Sequence, residues 1–154
     1  MELSSILRLE AVKVFASASS KKRLFQEIGD VAASCYGLDA ANTVEALLER
    51  EALGPTGVGH GVALPHARLP TLHNVVGVFL MLEKPLDFNS VDRQPVDIAF
   101  ALFAPEDSGV EHLKALALVS RTLREPSLCS KLRANPEASK LYALLTTGSS
   151  VQAA

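Results

Sequence analysis

The chain has 154 residues and a mass of 16.4 kDa, enough for one domain with a sizeable core and cramped for two. Hydrophobic residues make up 48% and charged residues 21%, a balance that excludes wholesale disorder and a disulfide-stapled mini-protein. Fifteen Lys and Arg face 17 Asp and Glu, with no Trp, two Tyr and six Phe, so the chain lacks both the basic field and the stacking platform that nucleic-acid binding draws on.

The N-terminal Met1-Glu2-Leu3-Ser4-Ser5 carries an acid at once, unlike the basic head and apolar body of a secretory signal. The longest apolar run, Val75 to Leu82, is eight residues, far short of the roughly 20 that span a bilayer. A cytoplasmic protein without membrane insertion is expected. Cys35 and Cys129 are far apart and outside any CxxC spacing, so both read as small apolar residues rather than a disulfide.

Val12 to Ala16 reads as a strand, and Ser17 to Ser20 as a polar stretch able to cap the helix that follows. Leu24, Ile28, Val31 and Cys35 recur at helical spacing and Gly37 supplies the permissive residue past the helix end. Asp39 offers a second N-cap, with Val44, Leu47 and Leu48 on the inner face of a helix ending near Arg50 or Glu51. Gly54 to Gly61 breaks the pattern. Val62 to His66 resumes as an extended segment that Pro65 confines to an edge or a strand end, having no N–H for a ladder. Asn74 to Leu82 and Val96 to Phe103 are apolar at both parities, as strands covered on both faces are. Pro105-Glu106-Asp107 ends the second of these. Ser108 and Glu111 then form a capping-box pattern for a helix whose apolar positions include Leu113, Leu116, Ala117 and Leu123. Pro126 stops it, and short helices are expected over Ser127 to Ala134 and Pro136 to Leu145.

The order is strand, two helices, three strands, three helices. It predicts an α/β fold, a three-layer α/β/α domain with a mixed sheet flanked by helices on both faces, over residues 1–147, with a flexible tail over 148–154. The glycine loop follows a helix and precedes a strand, the reverse of a dinucleotide-binding turn, and lacks the lysine and hydroxyl of a P-loop.

The chemistry concentrates in Gly57-Val58-Gly59-His60-Gly61-Val62-Ala63-Leu64-Pro65-His66-Ala67-Arg68. Alternate glycines allow positive φ and turned-in N–H groups, a pattern that suits a phosphate cradle and equally a plain turn. Pro65 stiffens the approach to His66. A neutral imidazole has one free lone pair and can take up a phosphoryl group and release it without a metal or organic cofactor, provided cations or donors surround the equatorial oxygens. Arg68 and Arg50 are the candidate cations, although Arg50 also reads as a charge set against the helix dipole. His112, near a helix N-terminus, reads either as a solvated surface residue or as a neutral hydrogen-bond donor to a phosphate oxygen or a neighbouring histidine.

With these residues in view, TGVGHGVALPHARLP resembles the active-site segment of enzyme IIA domains of the fructose and mannitol class in the bacterial phosphotransferase system, nearest to the nitrogen-regulatory group. Leu3-Ser4-Ser5-Ile6-Leu7, Ala46 to Gly54, Gln94-Pro95-Val96-Asp97, Ala104 to Asp107 and His112-Leu113-Lys114 extend the likeness over nearly the whole chain. The resemblance implies that His66 is phosphorylated by the phosphorylated carrier HPr, that Arg50 stabilises the phosphate, and that His112 donates to the phosphate or to His66. Thr56, Gly59 and Arg68 fall in the surrounding motif as loop and phosphate contacts. His60 stands where that group more often has asparagine. Implied partners are phospho-HPr as donor and either regulatory target proteins or a separate sugar-specific enzyme IIB; the implied activity is phosphoryl transfer with no cofactor.

Two other readings compete. His60, His66 and His73 fall in one stretch and are candidate metal ligands, against which stand the missing HExxH or cysteine partners. A sugar-transport role needs an enzyme IIB, which this chain does not carry, whereas a regulatory module needs only a phosphorylation-sensitive surface.

Overall fold

A computed structural model describes the backbone of residues 1–153 and the side chains of residues 1–147. After a 3-10 turn at Leu3–Ser5, the elements are β1 Leu7–Phe15, α1 Lys21–Tyr36, α2 Ala40–Ala52, β2 Gly57–Gly59, β3 Val62–Ala63, β4 His66–Leu69, β5 Val76–Leu86, β6 Val96–Pro105, α3 Val110–Leu123, α4 Pro126–Ala134 and α5 Ala138–Ala153. The α5 assignment runs on where the sequence suggests a tail, and the side chains of 148–154 lie outside the described residues.

The helix starts follow local chemistry. Ser20 accepts a hydrogen bond from the Arg23 N–H and Gly37 closes α1 in the left-handed conformation, at φ 71°. Asp39 caps α2 by accepting from the Asn42 N–H at 2.9 Å. Asp39→Ala is expected to cost about 1 kcal/mol, read as a lower urea midpoint with an unchanged m-value; an unchanged midpoint would contradict the role of this cap.

The sheet runs β1-β5-β6-β3-β2, and β4 also pairs with β6. Pairing is parallel for β1 with β5 and for β3 and β4 with β6, and antiparallel for β5 with β6 and β2 with β3, which makes the sheet mixed as expected. Pro65 interrupts what would be one strand: β3 and β4 lie in succession along β6, and the Pro65 carbonyl still accepts from the Leu102 N–H at 2.9 Å. Gly77 through Leu82 of β5 and Ile98 through Pro105 of β6 are buried without alternation, because helices cover both faces. One layer consists of α1 and α2, with α1 on β1 and β5 and α2 on β4; the other consists of α3, α4 and α5, with α3 on β6 and α5 on β1.

Three expectations need correction. The Ser108–Glu111 capping box does not form: Gly109 is the N-cap without a side-chain bond, and the Ser108 hydroxyl donates to the Pro105 carbonyl. The inner face of α3 is His112, Ala115, Leu118, Val119, Thr122 and Leu123, while Leu113 is 66% exposed. The third concerns Val62 to His66, where two short strands are separated at Leu64 and Pro65. Among the described residues, no helix is long and apolar enough to cross a membrane.

Candidate active site

Three elements converge on one imidazole. His66 opens β4, Arg50 lies in the last turn of α2, and His112 lies in the first turn of α3. The residues of β4 alternate, so His66 and Arg68 share one face while Ala67 and Leu69 are buried on the other. Together Arg50, His66, Arg68 and His112 line a cavity of about 500 Å³, walled by Leu53, Leu113 and Leu116.

Both ring nitrogens of His66 are engaged. Nδ1 lies 2.9 Å from the Leu64 carbonyl oxygen, which can only accept, so Nδ1 carries the proton and donates it. Nε2 is then the lone-pair nitrogen, and it accepts from Arg50 Nε at 3.3 Å. Arg50 Nη1 is steadied by the Gly54 carbonyl at 3.0 Å. The His66 pKa is lowered, first by burial and then by the Arg50 charge; the Leu64 carbonyl and the nearby Glu51 carboxylate oppose this. The ring is neutral near pH 7, as a nucleophile requires.

His112 meets His66 edge to face, with ring centroids 5.6 Å apart at 72°. It is 5% exposed, and burial, with His66 and Arg68 adding to it, pushes its pKa down to about 4. The expectation of a neutral imidazole holds, but burial is its main cause and the surface reading fails. Its Nε2 is buried and has no hydrogen-bond partner among the described residues. A histidine on the apolar face of α3 is the unpaired polar atom that a functional site explains and a finished core would not.

The remaining motif residues fall elsewhere. Neither Thr56 nor Gly59 lines the cavity. Thr56 is 5% exposed and bonds to Glu51, through its hydroxyl to Oε1 at 2.6 Å and its N–H to Oε2 at 3.0 Å. The glycine loop is a hairpin turn: Asp92 accepts from the His60 N–H at 2.9 Å, and Arg133 donates to the His60 carbonyl while pairing with Asp97. A Cβ at Gly57 would lie 2.1 Å from the Ser90 hydroxyl, and one at Gly61 2.6 Å from an Arg133 nitrogen. Close approach, rather than anion binding, accounts for these glycines. Arg68 reaches the cavity and donates to the Glu106 carbonyl at 3.2 Å.

Among the described residues, no group of three histidine, cysteine or carboxylate side chains is placed to hold a metal ion. His60, His66 and His73 line three different cavities, which removes the geometric basis of the metal reading. Glu51 and the Leu64 carbonyl escape a sequence reading, because no motif marks a carboxylate that acts on a residue five positions on.

This architecture is that of the IIA components of phosphotransferase systems. The structure superposes on IIA mannitol of Escherichia coli with a TM-score of 0.75 at 19% identity, covering 90% of this chain and 97% of that one. The chain belongs to the family of the phosphoenolpyruvate-dependent sugar phosphotransferase system, EIIA 2, whose pattern matches residues 5–148. A protein named nitrogen regulatory protein from Bradyrhizobium diazoefficiens is 43% identical over 145 residues, 94% of this chain and 95% of that one. Its namesake from Escherichia coli K12 is 40% identical over 148 residues, 95% and 90% of the two chains. The crystal structure of nitrogen regulatory protein IIA-Ntr from Neisseria meningitidis has a TM-score of 0.87 at 34% identity, covering 93% and 98%. The protein is therefore a phosphotransferase-system component.

Proposed function

We propose that the protein is a phosphocarrier of the nitrogen-regulatory phosphotransferase system, accepting a phosphoryl group on His66 from a phosphorylated HPr-type carrier in the cytosol and controlling partner proteins by its phosphorylation state. The observation that carries this reading is the fixed His66 ring, with Nδ1 tied to the Leu64 carbonyl and Nε2 presented to the cavity beside Arg50. Relatives named for nitrogen regulation, matched over nearly their whole length, support the regulatory branch.

The Nε2 lone pair attacks phosphorus on the donor's phosphohistidine. The new N–P bond forms as the old one breaks, and the bonding pair returns to the donor imidazole. The Nδ1 proton stays on the ring, and its bond to Leu64 steadies the positive charge that grows there. Arg50 shifts its contact from the lone pair to a phosphoryl oxygen, and Arg68 adds a second cation. His112, neutral, offers the donor that its unpartnered Nε2 lacks a target for in the free protein. Once loaded, the cavity carries about two more negative charges, enough to recruit or repel a partner.

The test offers radiolabelled phospho-HPr of the nitrogen branch and of the sugar branch in parallel. Faster loading from the nitrogen-branch donor is expected. Preference for the sugar-branch donor, followed by transfer to a separate enzyme IIB, would replace this reading with the sugar-specific one.

A further inference from the structure

We infer that Glu51 is a positioning residue for phosphoryl uptake, fixing the imidazole of His66 through a relay of hydrogen bonds that runs by way of Thr56 and Leu64. The Glu51 carboxylate is nearly buried, with 7% of its side chain exposed, and ion-pairs with Lys21 at 2.8 Å. Lys21 is itself held over the Phe88 ring, at 4.3 Å from the centroid. Both carboxylate oxygens accept from Thr56, one from its hydroxyl and one from its N–H. The Thr56 carbonyl accepts from the Leu64 N–H at 2.9 Å, and the Leu64 carbonyl accepts the His66 Nδ1 proton at 2.9 Å.

Each link is a short bond to backbone or to a charged group, the kind that holds geometry rather than drifting. The last turn of α2 thereby sets both ring nitrogens. Arg50 touches Nε2 directly, and its neighbour Glu51 governs Nδ1 by way of the loop. If the Leu64 carbonyl turns away, only the longer 3.3 Å contact from Arg50 Nε still favours the lone pair on Nε2, and a larger fraction of the rings carries the proton on Nε2, where no lone pair remains for phosphorus. Neither Glu51 nor Thr56 lines the cavity, so neither acts by touching phosphate.

This inference rests on His66 being the acceptor, and its test reads the ring as well as the transfer. In ¹⁵N-labelled protein, long-range ring spectra are expected to show a single Nδ1–H tautomer for His66. Glu51→Gln, which keeps the shape but sets an amide against Lys21, is expected to give a tautomer mixture and slow loading by about ten- to a hundred-fold. Thr56→Val should do the same and Thr56→Ser should restore both. If Glu51→Gln does not fold, Thr56→Val against Thr56→Ser decides the matter alone. Folded Glu51→Gln and Thr56→Val proteins with a wild-type tautomer and wild-type loading overturn the inference. A wild-type protein that takes no phosphate from any donor overturns the functional reading instead, while the ring spectra still report on Glu51.

Discussion

His66→Ala is expected to lose all phosphoryl uptake, by more than about a thousand-fold against wild type in the same donor assay. A covalent acceptor differs from a residue that assists, because without Nε2 there is no bond for phosphorus to form. The three other histidines do not substitute. His112 is buried with a pKa pushed down to about 4, while His60 and His73 line other cavities, away from Arg50. Folding should survive, since His66 is only half-buried and Arg50 keeps its bond to the Gly54 carbonyl. The label on wild type should be lost in acid and kept in alkali, as an N–P bond is. Equal labelling of His66→Ala and wild type would remove His66 as the site.

Acid should destabilise this protein through His112 before most carboxylates titrate. Its folded pKa of about 4 lies below the ordinary 6.5, so the unfolded state binds the proton first as pH falls. The stabilisation is present in full above about pH 6.5 and disappears progressively as pH drops towards 4. A gap of that width is worth about 3 kcal/mol. The lowered pKa of His66 acts in the same direction. Urea unfolding of wild type and His112→Gln at pH 7, 5.5 and 4 measures the effect. The wild type should lose about 3 kcal/mol more than the variant over that range. Parallel losses would show that His112 is not held neutral by the fold.

Legibility in the sequence follows the range of the interaction. Ser20, Gly37 and Asp39 announce the ends of α1 and α2 because capping involves residues three or four apart. The two-sided burial of β5 and β6 is equally plain, since an apolar run at both parities leaves neither face fit for water. The start of β1 is not: Arg8, Leu9 and Glu10 lie in an irregularity between Leu7 and Val12 that hides the strand period. The face of α3 is ambiguous because Leu113, Leu116 and Ala117 compete with Ala115, Leu118 and Val119, and where apolar residues spread beyond one stripe only the docking partner decides. At the site, His66, Arg50 and His112 are legible through a likeness spread over the chain, whereas the Glu51–Thr56 bonds depend on a loop turn that no spacing encodes.

Among the described residues β4 pairs only with β6, leaving its other backbone edge without a neighbouring strand, an arrangement that elsewhere invites foreign chains to zip on and seed aggregates. Four residues, bracketed by Pro65 and Pro70 and carrying the Arg68 charge outward, make a poor template for such growth. On the proposed function, such a strand offers the His66 ring to successive partners without offering them its main chain, so that each would recognise the surface by its side chains and leave when the exchange is done.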